Sequence, residues 1–205
     1  MQQRYQVASG PTTSSTLKTL LGLNILVYVM WTQLLPASFM GEHFLLSARH
    51  IEAGNYWTII TTAFSHYDFN HLLFNMIALW VFGREVEHVI GSKGLLRLYI
   101  MGALIAGLGH LGFNLMSYTD VPALGASGAV MAIAVQYGAL FPKRVLMINF
   151  FIPVPAAIAV AGYVLLDIRG MFGSGDGIAH AAHLGGAVYG IWHHVKRVRP
   201  YLYRQ

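Results

Sequence analysis

The sequence predicts an all-α, polytopic membrane protein: a bundle of six transmembrane helices with both termini on the cytoplasmic side. Three observations predict it. The 205 residues are 56% hydrophobic and only 10% charged, with a mean hydropathy of +0.54, close to what lipid-facing surfaces require. Apolar segments recur at 19–36, 67–82, 95–115, 126–142, 154–168 and 178–194. Eleven of the thirteen Lys and Arg residues fall on one side of the membrane that these segments define.

Within hydrocarbon each segment must satisfy its own backbone hydrogen bonds, so each reads as a helix. The first follows Arg4 and Lys18. The second ends before a basic connection, Arg84, Lys93 and Arg97, which leads into the third. The fourth opens on Gly125-Ala126-Ser127-Gly128-Ala129 and ends at Lys143 and Arg144. The fifth is short, because Pro153 and Pro155 resist a continuous helix from Val145. Residues 145–155 therefore read as a partly non-helical inner-face connection, with a kinked full-length helix as the alternative. The sixth runs into Lys196, Arg197, Arg199 and Arg204, whereas the opposite loops hold only Arg49 and Arg169. By the positive-inside rule both termini are cytoplasmic.

This organisation predicts a cytoplasmic N-terminal segment at 1–18, one membrane domain at 19–194 and a basic cytoplasmic tail at 195–205. No secretory cleavage pattern is evident, and the compact chain without a transit region points to a bacterial plasma membrane. The formal net charge of +5 matches anionic lipid headgroups as partners; no motif for reading nucleic acid is present. The absence of cysteine excludes disulfides, thiolate catalysis and Cys-based metal sites.

The same topology sets the depth of the polar side chains. The fourth and sixth helices both enter from the outer face, which puts Ser127 near that face and His183 about one turn inside. The second helix runs the same way, with His71 and Asn75 one turn apart on one face near its outer end. A serine hydroxyl needs a base within hydrogen-bond reach, and an imidazole can take its proton and later pass it to a leaving amine. Ser127 is thus the candidate nucleophile and His183 its base. Asn75, His71 and the backbone N–H of Ser127 are candidate donors to a developing oxyanion. Asp68, Asp120, Asp167 and Asp176 all lie near the outer face, but helix spacing selects none of them, so a two-residue dyad is the simpler arrangement. Gly186 and Gly190 follow His183 at i+3 and i+7 and give the sixth helix a narrow face for close packing.

These residues resemble the rhomboid family of intramembrane serine proteases over roughly residues 57–192. Gly125-Ala126-Ser127-Gly128 is similar to the nucleophile motif, and Ala182-His183-Leu184-Gly185-Gly186 with Gly190 to the final-helix motif. His66 and His71-Leu72-Leu73-Phe74-Asn75 are similar to the second-helix pattern, and Gly83-Arg84-Glu85-Val86-Glu87 to the turn after it. The resemblance implies Ser127 and His183 as the dyad, His71 and Asn75 as the oxyanion pair, His66 as a supporting histidine and Glu87 as structural. It also implies cleavage of transmembrane proteins near their outer ends, without cofactor or metal, in a site opening to the extracytoplasmic side. Two positions depart from the family: Thr58 follows Trp57 where an arginine is common, and Met131 stands where a tyrosine often packs on the catalytic histidine.

Two other classes compete. His180 and His183, with His66 and His71, form a possible zinc or haem ligand set, but no His-Glu-x-x-His run and no facing acidic pattern supports it. A non-catalytic membrane binder or chaperone of the same architecture would tolerate loss of Ser127 or His183.

Overall fold

The computed structural model describes residues 15–148, 151–173 and 179–202. Arg4, Asp176, Arg204 and most of segment 1–18 lie outside the described residues.

Helix α1 (Ser15–Val29) continues through a π-helical turn, Met30–Leu34. It buries Leu17, Leu20, Asn24 and Val27, a stripe at helical spacing, while Leu23, Ile25 and Leu26 stand exposed. That distribution suits a surface wetted by lipid rather than water. Three short helices follow: α2 (Ala37–Phe44), α3 (Ala48–Glu52) and α4 (Thr58–Thr61). The sequence reading had no helix between its first and second segments, because pieces of one or two turns carry too little periodicity. Local capping and pairing hold them instead. The Ser47 hydroxyl accepts from the His50 N–H at 3.3 Å, the backbone of Leu46 pairs with that of Ala123, and buried Thr58 donates to the Asn55 carbonyl at 2.7 Å.

Helix α5 (Phe69–Met116) contains both the second and third apolar segments and breaks between them at Gly91, whose φ of 75° and ψ of 166° no helix accommodates. At this corner Glu87 is buried and accepts from the Ser92 hydroxyl at 2.7 Å. Helix α6 (Ser127–Leu140) is enclosed on nearly every face, with Ala129, Ala132, Ile133, Gln136 and Tyr137 no more than 2% exposed. It packs against both arms of α5 and against α8 (His180–His193). The fifth apolar segment becomes α7 (Ala156–Met171). Past α8 the chain winds through a π-helical turn, His194–Val198, into α9 (Arg199–Leu202).

The connection after α6 is non-helical, as read from Pro153 and Pro155, and not a kinked helix: it is an antiparallel hairpin of β1 (Val145–Ile148) and β2 (Ile152–Pro155) with Val145 opposite Pro155. The all-α expectation is therefore corrected by one small sheet. Proline cannot donate to a helical ladder but is tolerated in a two-stranded edge. Two helical stretches, Ser15–Leu34 and Phe69–Met116, are each long and apolar enough to cross a membrane, and α6 is a shorter apolar helix.

Close approach of α6 and α8 depends on small residues. A Cβ on Gly186 would lie 1.9 Å from the Gly128 carbonyl oxygen, and one on Gly190 would lie 2.6 Å from that of Ala132. The stripe anticipated along α8 is thus a steric requirement of the interface that carries the site.

Candidate active site

Ser127 is the first residue of α6, with Ala126 in the N-cap position. The early N–H groups of a helix have no carbonyl partners within it, so they and the helix dipole favour negative charge at this end. Gly125, just before, has φ of 133°, and a Cβ there would sit 2.9 Å from the His71 ring. Only glycine lets the chain turn into α6 with His71 resting on its backbone.

His183 lies one turn into α8 and its Nε2 is 2.8 Å from the Ser127 hydroxyl oxygen. Its Nδ1 is 2.8 Å from Oδ1 of Asp167 on α7, and the same oxygen stands 2.8 Å from Nδ1 of His180. A carboxylate held at Nδ1 keeps the proton on that nitrogen and leaves Nε2 with a lone pair directed at Ser127. The three side chains form a carboxylate–imidazole–hydroxyl chain, whereas the sequence reading selected no carboxylate to stand beside His183. Room for His180 comes from Gly170, where a Cβ would lie 2.2 Å from the His180 ring.

Ser127 and His183 face a cavity of about 1000 Å³. Its wall includes Ser127, His183, His71, His66, Asp68 and Ala179, with Trp31 and Thr32 from the turn after α1. The Asp68 carboxylate accepts from the His71 backbone N–H at 3.0 Å and caps α5. Asn75 is buried, and its amide donates to the His71 carbonyl at 2.9 Å, so one of its two N–H groups is engaged within its own helix. The His66 ring lies edge-on to that of His71 at 5.0 Å between centroids. Burial, reinforced by neighbouring His71, pushes His66 down to a pKa of about 3, so it is neutral at physiological pH.

The structure thus brings Ser127, His183, His71, His66, Gly125 and Gly128 to one site. Met131 packs in a cluster with Ala134, Val135, Val160 and Ala187, at the junction of α6, α7 and α8. Glu87 lies at the far corner of α5. The metal set weighed from sequence does not form as drawn: the facing acid that it lacked is Asp167, which joins His180 and His183 without His66 or His71.

The Rhomboid domain family matches residues 53–199 of the chain. The chain belongs to the rhomboid family. It is 36% identical over 175 residues to RHOMBOID-like protein 12, mitochondrial, of Arabidopsis thaliana, covering 78% of this chain and 52% of that protein. It is 31% identical to Rhomboid protein 1, mitochondrial, of Saccharomyces cerevisiae, covering 84% and 50%. To Presenilin-associated rhomboid-like protein A, mitochondrial, of Danio rerio, it is 29% identical, covering 87% and 46%. The chain spans about half the length of the curated relatives it matches. Rhomboids are generally intramembrane proteases. These relatives overturn the expected bacterial plasma membrane, since all three are mitochondrial proteins of eukaryotes. The expectation had leaned on the lack of a recognisable transit region, which carries no weight in a chain that spans half of its relatives.

In this rhomboid, Asp167 is the residue that sequence reasoning passed over. The signal was present: an ionised side chain within an apolar helix is costly, and by default marks a functional partner.

Proposed function

We propose that this rhomboid is an intramembrane serine endopeptidase of a mitochondrial membrane, cleaving transmembrane proteins near one end of their spanning segment. The observation that carries the reading is the 2.8 Å contact of Ser127 Oγ with His183 Nε2 at the wall of the cavity. The working domain is the six-helix unit at 19–194, flanked by segments 1–18 and 195–205. The catalytic end lies opposite the basic connections.

Ser127 Oγ attacks the scissile carbonyl carbon as its proton passes to His183 Nε2. The carbonyl π pair moves onto oxygen, where the Ser127 N–H, the His71 ring and the second N–H of Asn75 donate to it. Collapse of the tetrahedral species expels the amine, which takes the proton from His183 and leaves an acyl-Ser127. Water from the cavity then attacks the acyl carbon as its proton passes to His183 Nε2, and collapse breaks the bond to Ser127 Oγ, which takes that proton back as the carboxylate product leaves. Asp167 holds the imidazole in the tautomer that these transfers need. Removing one oxyanion donor costs on the order of 10²–10³ in turnover. A substrate helix hides its carbonyls in its own hydrogen bonds, so glycine and other small residues near the scissile bond favour cleavage by easing local unwinding.

The test is proteolysis of a model transmembrane substrate by purified protein in liposomes. Ser127→Ala is expected to abolish cleavage with the fold intact. Cleavage at the parental rate by folded Ser127→Ala protein overturns the serine mechanism and leaves the non-catalytic binder in its place.

A further inference from the structure

Asp167 Oδ1 is approached by two imidazole nitrogens at the same 2.8 Å, one from each of His180 and His183. Catalysis by Ser127 requires only the second. The three side chains are 9%, 11% and 18% exposed, and one ligating atom from each lies within 4.8 Å of the others. Two imidazoles and one carboxylate are the donor chemistry that a borderline-soft divalent cation selects over calcium or magnesium. Zinc takes ligands at about 2.0–2.1 Å in a tetrahedral arrangement, so a ligand pair stands about 3.4 Å apart. The two hydrogen-bonded pairs need to widen by about half an ångström to admit it, and the two imidazole nitrogens, which lie within 4.8 Å of each other, to close toward the same spacing. His180 and His183 are three residues apart on one helix and Asp167 comes from its neighbour, so all three donors converge from packed elements. Gly170 seats the His180 ring against α7.

We propose that Asp167, His180 and His183 form a zinc site whose occupation switches the protease off. Zinc would take the place of the proton on Nδ1 of each imidazole, and that proton would pass to Nε2 of the same ring, so that each ring stays neutral. A neutral imidazole coordinated through Nδ1 carries its one proton on Nε2. In His183 that N–H points at Ser127 Oγ and has no lone pair with which to take the serine proton. Zinc also removes the Asp167 carboxylate from its role as acceptor. The nucleophile stays in place while its base is lost, and a chelator restores activity by withdrawing zinc, after which the ring proton returns from Nε2 to Nδ1 and Asp167 accepts from it again.

The inhibitory half rests on the protease reading; the binding half does not, and the two are measured separately. Full-chain Ser127→Ala protein in detergent, titrated calorimetrically with zinc chloride, is expected to bind one equivalent through this site. Asp167→Asn or His180→Gln placed in that background should weaken binding by about tenfold or more. His180→Gln is the discriminating change, because its amide still donates toward Asp167 but offers zinc no imidazole lone pair. In cleavage assays, zinc should halve the rate of wild-type protein at a concentration at least about tenfold below that needed for His180→Gln. Each rate is taken relative to the same protein without zinc, and magnesium should not substitute. No zinc binding by Ser127→Ala protein, or equal zinc sensitivity of wild type and His180→Gln, overturns the site. A wild-type protein that binds zinc through these residues but cleaves nothing refutes the protease reading and leaves the metal site standing.

Discussion

Helix α8 carries two histidines, one partly buried and one buried, that are bonded at Nδ1 in the same way yet serve different ends. Near its start, His183 is held at Nδ1 by Asp167 of α7; at its end, His193 is held at Nδ1 by the Gln136 side chain of α6 at 3.0 Å. Each partner bridges two histidines: Asp167 also reaches His180 at 2.8 Å, and Gln136 also reaches His194 at 2.9 Å. His193 is only 4% exposed. What separates the two is what the other ring nitrogen meets. His183 presents Nε2 to a serine hydroxyl at the edge of a cavity, whereas the His193–Gln136–His194 group joins two helices within the bundle. A hydrogen-bonded intramembrane histidine is therefore not evidence of a site until a nucleophile and space for a substrate accompany it.

The sharpest way to break this comparison is to remove each imidazole. His183→Ala should eliminate cleavage, whereas His193→Ala should retain it within a few-fold and instead lower stability by about 1–3 kcal/mol, through the buried amide left unpaired. Thermal unfolding measured beside proteolysis separates the outcomes. Loss of cleavage by a folded His193→Ala protein would show the two regions to be coupled.

The next effect isolates the carboxylate. Asp167→Asn keeps shape and volume but offers Nδ1 an amide that does not enforce the right tautomer. Turnover should fall by about 10²–10⁴-fold, the upper end being the loss known for the equivalent change in a Ser-His-Asp triad, with little change in KM. Steady-state kinetics across substrate concentrations would check this split. Unchanged turnover would reduce Asp167 to a helix-packing residue.

A smaller effect compares glycines. Gly186→Ala puts a methyl group against the Gly128 carbonyl and should destabilise the fold by about 1–3 kcal/mol while pushing His183 away from Ser127. Gly162→Ala on α7 meets nothing within 4 Å and should be neutral or stabilising by up to about 1 kcal/mol. Denaturation of both variants in the same detergent would test whether the α6–α8 approach is what matters.

The meeting of Ser127, His183 and His71 at one cavity was legible in the sequence, because depth follows from segment direction and length and each is a polar group placed at one depth; Asn75, one turn from His71, bonds within its own helix and is not part of that cavity's wall. Gly186 and Gly190 were legible by their spacing from His183. Asp167 was not selected, because depth alone does not say which way α7 is turned; its burial against α8 is a tertiary fact. Helices α2, α3 and α4 left no trace, since they rest on single caps and on the pairing of Leu46 with Ala123. The prolines at 153 and 155 excluded a simple helix, but only pairing with Val145–Ile148 made the segment a strand.

The central claim, that Ser127 is a nucleophile made reactive by His183, is tested most directly by covalent labelling. A fluorophosphonate probe incubated with the reconstituted protein should modify Ser127, as located by peptide mass spectrometry. The label should be lost in Ser127→Ala and slowed to near background in His183→Ala, and should be undiminished in His193→Ala. Labelling of folded Ser127→Ala protein at the parental rate, or of folded His183→Ala protein as fast as wild type, would contradict the account.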